Sequence, residues 1–414
     1  MKSTVTRRLM PFLFLLYVVA YIDRINISFA GLQMTGELHF GDDVFGLGSG
    51  IFFFGYTALG IPGALLVERW SARRIMAITL VVWGLVASMT GLIHTAAEFY
   101  TMRVLLGVTE AGFFPGVITY LGHWYRAADR AKAVAMFMIA IPAAQVIASP
   151  ISAMLLQQHW FGLSGWRWLL LLEGAPAIAC GIASWFYLTD RPRQARWLEE
   201  KERDSLEADL AREREQAAAA APISPWRALW HRDVLLCAGS YFGGTAANYG
   251  LSIWLPKMLQ RLEGLSTLET TLLSAIPALF AIPVMLANGW HSDHSGERRW
   301  HAAMPRILAG VALAALTFQS MGVAPALALF SIAFAGIVAA YPPLWAIPST
   351  ALTTSAAAAS IGLINSIGNL GGFAGPYLVG WFSNRNGTYL GGLWVMVVAL
   401  FFSAACVLLV RIRR

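Results

Sequence analysis

Apolar runs of about 20 residues alternate with short polar segments along the whole chain. Twelve such runs lie at 10–30, 46–67, 75–94, 98–122, 132–156, 167–188, 234–256, 268–290, 302–321, 325–348, 358–382 and 390–410. About 20 apolar residues is the length an α-helix needs to cross the hydrocarbon core of a bilayer, so each run predicts one spanning helix. One stretch breaks the rhythm. Residues 189–233 are dense in both signs of charge, and Trp197, Leu198, Leu206 and Leu210 are their only large apolar side chains before the Ala-rich part; they predict a surface helix and a linker ending near Pro222. The pattern is six spans, a polar loop and six more spans. It divides the chain into 1–188, an N-terminal six-helix bundle; 189–233, a linker with an amphipathic helix; and 234–414, a C-terminal six-helix bundle.

The polar segments between spans repeat as well. LLVERWSARR follows the second span, with Glu68, Arg69, Arg73 and Arg74. GWHSDHSGERR follows the eighth, with Asp293, Arg298 and Arg299. An acid followed by an Arg pair at the same place in each half is what two related bundles would leave behind. Two unrelated basic loops are the plainer alternative. The predicted fold class is an all-α membrane protein of twelve transmembrane helices in two pseudo-symmetric six-helix bundles.

Composition agrees: 57% of residues are hydrophobic and 13% charged, against about 25% charged in soluble domains. The net charge of +7 sits in the short loops, as in a membrane protein and unlike a nucleic-acid-binding one. With the N-terminus inside, all of the 30 Lys and Arg fall on the cytoplasmic side except Arg24, Arg103, Arg167, Lys257, Arg261 and Arg385, so both termini are expected in the cytoplasm of a multi-pass protein of the bacterial inner membrane. Cys180, Cys237 and Cys406 lie inside apolar runs and imply no disulfide framework. The first run is too long for a signal peptide and is expected to be retained.

Charges inside spans carry the chemistry, because each costs about 2.5–3.5 kcal/mol by insertion scales and is kept for a reason. The first span contains YIDRINISFA, with Asp23 and Arg24 adjacent. Neighbours on a helix point about 100° apart, so the two cannot share one partner squarely. An intramembrane Arg facing a water-filled cavity suits an anion, whose carboxylate its forked donors match; an ion pair to another helix is the structural alternative. In the fourth span Arg103 and Glu110 are seven residues apart, two turns on one face, with Glu110 near mid-membrane. A carboxylate there is disfavoured when ionised and is suited to carrying a proton, unless it is a structural acid. Arg103 could equally hold Glu110 or a neighbouring helix. Tyr56, Gln145, Asn248, Asn365 and Asn369 offer hydrogen bonds at similar depth, although buried amides also join helices. Tyr249, Tyr341 and Trp345 could shape the apolar side of a ligand or simply pack. Pro62, Pro142, Pro277 and Pro348 predict breaks or bends. Glu173, before Pro176, reads as a structural acid toward the cytoplasmic end of span 6, paired with loop arginines.

Taken together, YIDRINISFA, the loop after span 2, RVLLGVTEAGFFPGVITYLGHWY, WRWLLLLEGAPAI, NYGLSIWLPKML, DHSGERRWHAAMP and SIGLINSIGNLGGFAGPYLVG cover nearly the whole chain. In this order they resemble the major facilitator superfamily, and within it the anion:cation symporter family, with wording similar to bacterial tartrate, phthalate and hydroxyphenylacetate permeases. The loop after span 2 departs from the superfamily form at Glu68, where Asp is usual, and at Ser71, where Gly is usual. The resemblance implies that Arg24 binds the substrate carboxylate, that Glu110 couples protons, and that Asp23 is a second proton site. It also implies a gating role for the two loops.

The expected function is import of a small organic carboxylate by proton symport through alternating access. An anion exchanger, a sodium-coupled carboxylate transporter and a multidrug exporter on the same fold are the alternatives. Enzymes are disfavoured, since the eight histidines show neither HExxH nor a paired ligand spacing and the cysteines lack an obvious base. No cofactor and no metal are expected. The expected partners are the carboxylate, protons and lipid, with no nucleic acid and a monomeric chain.

Overall fold

Every predicted span is occupied by helix. The computed structural model describes residues 3–126, 129, 133, 136–219, 231–318, 321–351 and 354–411, apart from the side chains of 3, 61, 63–65, 68, 69, 214, 216–219, 263, 348–351 and 354–361. The predicted linker beyond 219, the start of span 5 at 134–135, and the side chains of Glu68, Arg69 and Pro348 lie outside the described residues.

The first seven helices are α1 (Ser3–Glu37), α2 (Asp42–Arg69), α3 (Ala72–Thr90), α4 (Ala96–Glu110), α5 (Phe113–Trp124), α6 (Ala140–Leu155) and α7 (Gly165–Tyr187). Then come the polar helix α8 (Glu200–Ala219) and α9 (Arg232–Glu263), α10 (Thr267–Leu273), α11 (Ala275–Ser295), α12 (Arg299–Ala315), α13 (Val323–Ala339), α14 (Tyr341–Ala351), α15 (Thr354–Asn386) and α16 (Leu390–Leu408). Among the described residues there is no strand. Eight helical stretches are long and apolar enough to cross a membrane, and α2, α9, α12 and α15 stand at the other four predicted positions.

Local chemistry sets the helix ends. Ser71 caps α3 by accepting from the Arg74 N–H, and Thr95 with Glu98 forms a capping box on α4. Gly264 and Gly296, with φ of 63° and 68°, end α9 and α11 in the left-handed conformation. The fourth span is two helices, α4 and α5. Pro115 has no N–H to give the Ala111 carbonyl, and its ring crowds that carbonyl, so the ladder stops just after Glu110. Pro277 and the pair Pro342–Pro343 stand just after the similar breaks in the eighth and tenth spans.

Helices α1 to α7 pack on one another, chiefly α3 on α7, α2 on α4, and α1 on α6 and α7. Helices α9 to α16 do the same through α9 on α15 and α16, α12 on α13 and α16, and α11 on α13. Three seams join the groups: α2 with α15, α6 with α11, and α1 with α9. Helix α8 lies on the first group. Leu198, Leu206 and Leu210 are buried there, and Trp197 stacks on Trp124 with ring centres 5.4 Å apart.

The α2–α15 seam is tight at the end carrying Asp42. At the end carrying Asp42, a Cβ on Gly46 would lie 2.7 Å from the Pro376 carbonyl oxygen, and one on Gly380 would lie 2.3 Å from that of Asp42. Toward the end carrying α8, a Cβ on Gly60 or Gly362 would meet nothing within 4 Å. The seam is closed across Asp42.

Candidate functional site

Arg24 and Asp23 diverge as helix geometry requires. Arg24 crosses to α4, where its Nε donates to Glu110 Oε1 at 2.6 Å and its Nη2 pairs with the same oxygen. Asp23 turns to α3 and accepts from Trp83 Nε1 at 2.9 Å, with the Asn26 amide 3.5 Å from its other oxygen. Among the described residues Asp23 forms no ion pair within 4 Å. Arg24 is 6% exposed and Glu110 0%, so neither charge is solvated from outside.

The pair has an incomplete shell. Glu110 Oε2 is buried and accepts no hydrogen bond from the described residues. Arg24 stands 4.9 Å from the centre of the Tyr56 ring, and its Nη1 donates to the Tyr249 hydroxyl at 3.2 Å. That last contact crosses between the helix groups, from α1 to α9. Beside it the Asn248 amide donates to Tyr21 Oη at 2.8 Å, and the Tyr21 and Tyr249 rings stack at 6.2 Å. Among the described residues Asn248 Oδ1 has no partner, nor do the two amide atoms of Gln145, buried on α6, which packs on α1. An unpaired amide in a dry site is costly unless something else, such as a ligand, meets it.

The remaining predicted residues sort by distance from this centre. Arg103 forms no ion pair with Glu110, although the two share a face of α4: its guanidinium lies 5.2 Å from the Phe52 ring centre and its Nη2 donates to the Ser49 carbonyl oxygen at 3.5 Å, so α2 engages it instead. Asn369 donates to the Asn365 carbonyl at 2.8 Å, so that amide is engaged within α15. Tyr341 and Trp345 gather around Tyr241, with ring centres 5.9 and 5.0 Å from it.

In the loops, the Ser71 hydroxyl donates to Asp190 Oδ2 at 2.6 Å and the Arg73 N–H donates to Asp190 Oδ1 at 3.0 Å, so the acid meeting the first loop comes from the end of α7. Arg74 is 6.0 Å from the Trp185 ring. Arg298 pairs with Asp293 at 2.5 Å, and Arg299 reaches the Leu408 carbonyl.

One expectation needs correction, and the fold adds two placements. Glu173 does not meet loop arginines. It lies eight residues from the start of α7, because the helix runs through Pro176 to Tyr187, and it is buried with the Ser152 hydroxyl 3.3 Å away. The histidines are not all apart: folding brings His291 Nδ1 within 2.6 Å of His301 Nε2, and Glu297 holds the other ring nitrogen of His301 at 2.9 Å. No group of three or more metal-ligating side chains occurs among the described residues. Arg306, counted with the cytoplasmic-side basic residues, lies seven residues inside α12 and is 0% exposed. Its place inside the run 302–321 was the available signal.

Two groups went unremarked in the sequence. Tyr21 and Trp83 look like ordinary span aromatics, and only the folded contacts give their polar atoms partners. Asp42 joins the helix groups at the closed end, where Lys257 Nζ and Arg261 Nη2 each lie 3.1 Å away and Ser383 donates at 2.6 Å.

Comparison with known proteins places this geometry. A family model described as Major Facilitator Superfamily matches residues 13–376. A protein of Agrobacterium vitis named "Putative tartrate transporter" is 43% identical over 401 residues, covering 97% of this chain and 92% of its own. One of Acinetobacter baumannii named "Quinolone resistance transporter" is 35% identical, covering 96% and 92%. A solved bacterial homologue of the human lysosomal transporter Spinster, inward-facing and unoccupied, matches with a TM-score of 0.77 at 18% identity, covering 99% of this chain and 97% of that one, which is a likeness of fold.

Proposed function

The chain belongs to the Major Facilitator Superfamily, and from that premise we propose that it imports a small organic carboxylate together with protons across the bacterial inner membrane. The observation carrying this reading is the buried Arg24–Glu110 pair, contacted by Tyr249 from the opposite helix group. Arginine stays charged under all ordinary conditions, whereas a carboxylate can take up a proton. Protonating Glu110 therefore leaves a guanidinium with no counter-ion in a dry site, and removing one partner of such a pair costs about 3–5 kcal/mol. An incoming carboxylate restores the balance bidentately. Tyr249 adds a donor from the second bundle, and the free amide atoms of Asn248 and Gln145 suit the hydroxyls of a hydroxy acid such as tartrate.

Alternating access follows from the same parts. With the Asp42 end on the periplasmic side, closure there leaves the α8-bearing end as the route of release. Loss of the proton from Glu110 remakes the pair and releases the carboxylate to the cytoplasm. Asp23, buried without a cation, is the second proton site. Arg103 supplies positive potential beside the site without occupying Glu110. The loops at Arg73 and Arg298 brace their own bundles as the two rock.

Export of a drug-like compound is the second reading, favoured by the relative named for quinolone resistance. One experiment separates the two. The purified chain is reconstituted in liposomes loaded with a pH dye, and carboxylates are added outside one at a time, tartrate first. Acidification specific to one compound supports carboxylate–proton symport. Uptake of labelled compound without acidification would contradict proton coupling and leave exchange or sodium coupling. Acidification by none, together with loss of a preloaded quinolone, would favour export.

A further inference from the structure

Arg306 is a second buried guanidinium, and the exchange at Arg24 does not use it. Its Nη1 donates to the Ser240 hydroxyl at 2.7 Å, and its Cζ lies 6.0 Å from the centre of the Tyr341 ring. Its Nε and Nη2 are buried without a hydrogen-bond partner. No Asp or Glu among the described residues forms an ion pair with it. The space is shaped for a guanidinium: a Cβ on Gly244 would stand 3.0 Å from Nη2 and 3.3 Å from Cζ. Ser403 ties Ser240 in place by bonding to its carbonyl, with the two hydroxyls 3.3 Å apart.

A guanidinium cannot shed its proton to escape burial. Lys and His can neutralise themselves; Arg must find an anion or donors' partners. Two of its donors point at neither, so the structure holds a positive charge prepared for a ligand. Its position suggests which. Helix α9 contacts both arginines, Arg24 through Tyr249 and Arg306 through Ser240, nine residues apart. At 1.5 Å per residue the second contact is about 13 Å nearer the α8-bearing end. Tyr341 stands over Arg306 as the first residue of α14, at the break after α13, with its hydroxyl 3.5 Å from the Gly244 carbonyl oxygen. A side chain at such a break can turn without bending a continuous helix.

We propose that Arg306, Ser240 and Tyr341 form a second carboxylate station in the C-terminal helix group, which receives the substrate anion on the inner side when Glu110 reclaims Arg24. This rests on the carboxylate reading above and adds a binding step to it. Tyr341 swings aside to admit the carboxylate, which takes the free Nε and Nη2 donors and the Ser240 hydroxyl. Because the station lies inward of Arg24, it sets the apparent affinity measured from the inner face and leaves that from the outer face to Arg24.

The test uses labelled tartrate in right-side-out and inside-out membrane vesicles carrying the full chain, with Arg306→Gln, Arg306→Lys and Ser240→Ala. Loss of a charge-assisted hydrogen bond predicts that Arg306→Gln raises the inner-face KM about tenfold or more and changes the outer-face KM less than twofold. Arg306→Lys, which keeps the charge but loses the paired donors, should recover only part of the loss, and Ser240→Ala should give the same asymmetry in weaker form. A structural role would move both faces together or lower the amount of folded protein. Should Arg306→Gln not fold, Ser240→Ala decides by the same comparison. Equal effects on the two faces, or none, overturn the station alone. No tartrate uptake by the unaltered chain on either face overturns the transport reading and the station with it.

Discussion

Asp23 and Arg24 share a peptide bond and have opposite surroundings. Arg24 faces a carboxylate it can lose; Asp23 faces an indole N–H and an amide, which solvate a charge only in part. In the proposed exchange that difference gives them different work, anion binding to one and proton storage to the other. Arg24→Lys keeps the charge but loses the fork that meets a carboxylate with two donors, so it is not conservative here. It should lower uptake at least tenfold, read as initial rates in proteoliposomes; near-normal rates would remove Arg24 as the anchor. Asp23→Asn should leave uptake possible but reduce the protons moved per carboxylate, measured from the ratio of dye signal to label. The sequence already displayed these two residues, because a charge inside an apolar run has no inconspicuous reading. It could not display Tyr249 as Arg24's partner or Arg306 as buried. Each depends on which faces of distant helices meet, and charge counting put Arg306 no more closely than on the cytoplasmic side.

At the scale of helices, the proline after Glu110 and the latch at Asp42 matter most. Pro115 ends α4 where the coupling acid stands, so Glu110 sits beside backbone that a continuous helix would not leave free. The latch closes the other end of α2. Burial works against the Asp42 charge, but Lys257, the Ser383 hydroxyl and Arg261 outweigh it and hold the carboxyl below its usual range. Since the closed-state value is depressed, the latch is complete above the ordinary carboxylate range and is lost as pH falls through the lowered value. Asp42 therefore contributes no pH dependence at neutral pH. Asp42→Asn should relax the closed end by about 1 kcal/mol, roughly fivefold in the ratio of states, for a partly exposed pair of bridges. A cysteine at Phe373 should then react faster with an impermeant thiol reagent from the Asp42 side. Gly46→Val should act more strongly, because even a Cβ there would lie 2.7 Å from the Pro376 carbonyl oxygen. Helix positions were legible from apolar periodicity, and the break at Pro277 from proline. The latch was not: Asp42, Lys257 and Arg261 are unremarkable in sequence and become a site only when α2 meets α9 and α15.

For the whole molecule, the central claim is that one proton on Glu110 decides whether Arg24 holds its own carboxylate or the substrate's. Both bundles touch that site, through Tyr249 and Tyr21 as well as through the α2–α15 seam, so occupancy and rocking are mechanically joined. The repeated loops and the six-plus-six pattern made this architecture readable from the sequence, while the state of closure came only from the packing of glycines along the seam. The most direct measurement is transport by Glu110→Gln in proteoliposomes, which fixes the side chain in a neutral form. The account predicts that proton-driven accumulation of the carboxylate is lost while exchange of labelled for unlabelled carboxylate continues. Accumulation at the unaltered rate would contradict it, since the proton would then be carried elsewhere.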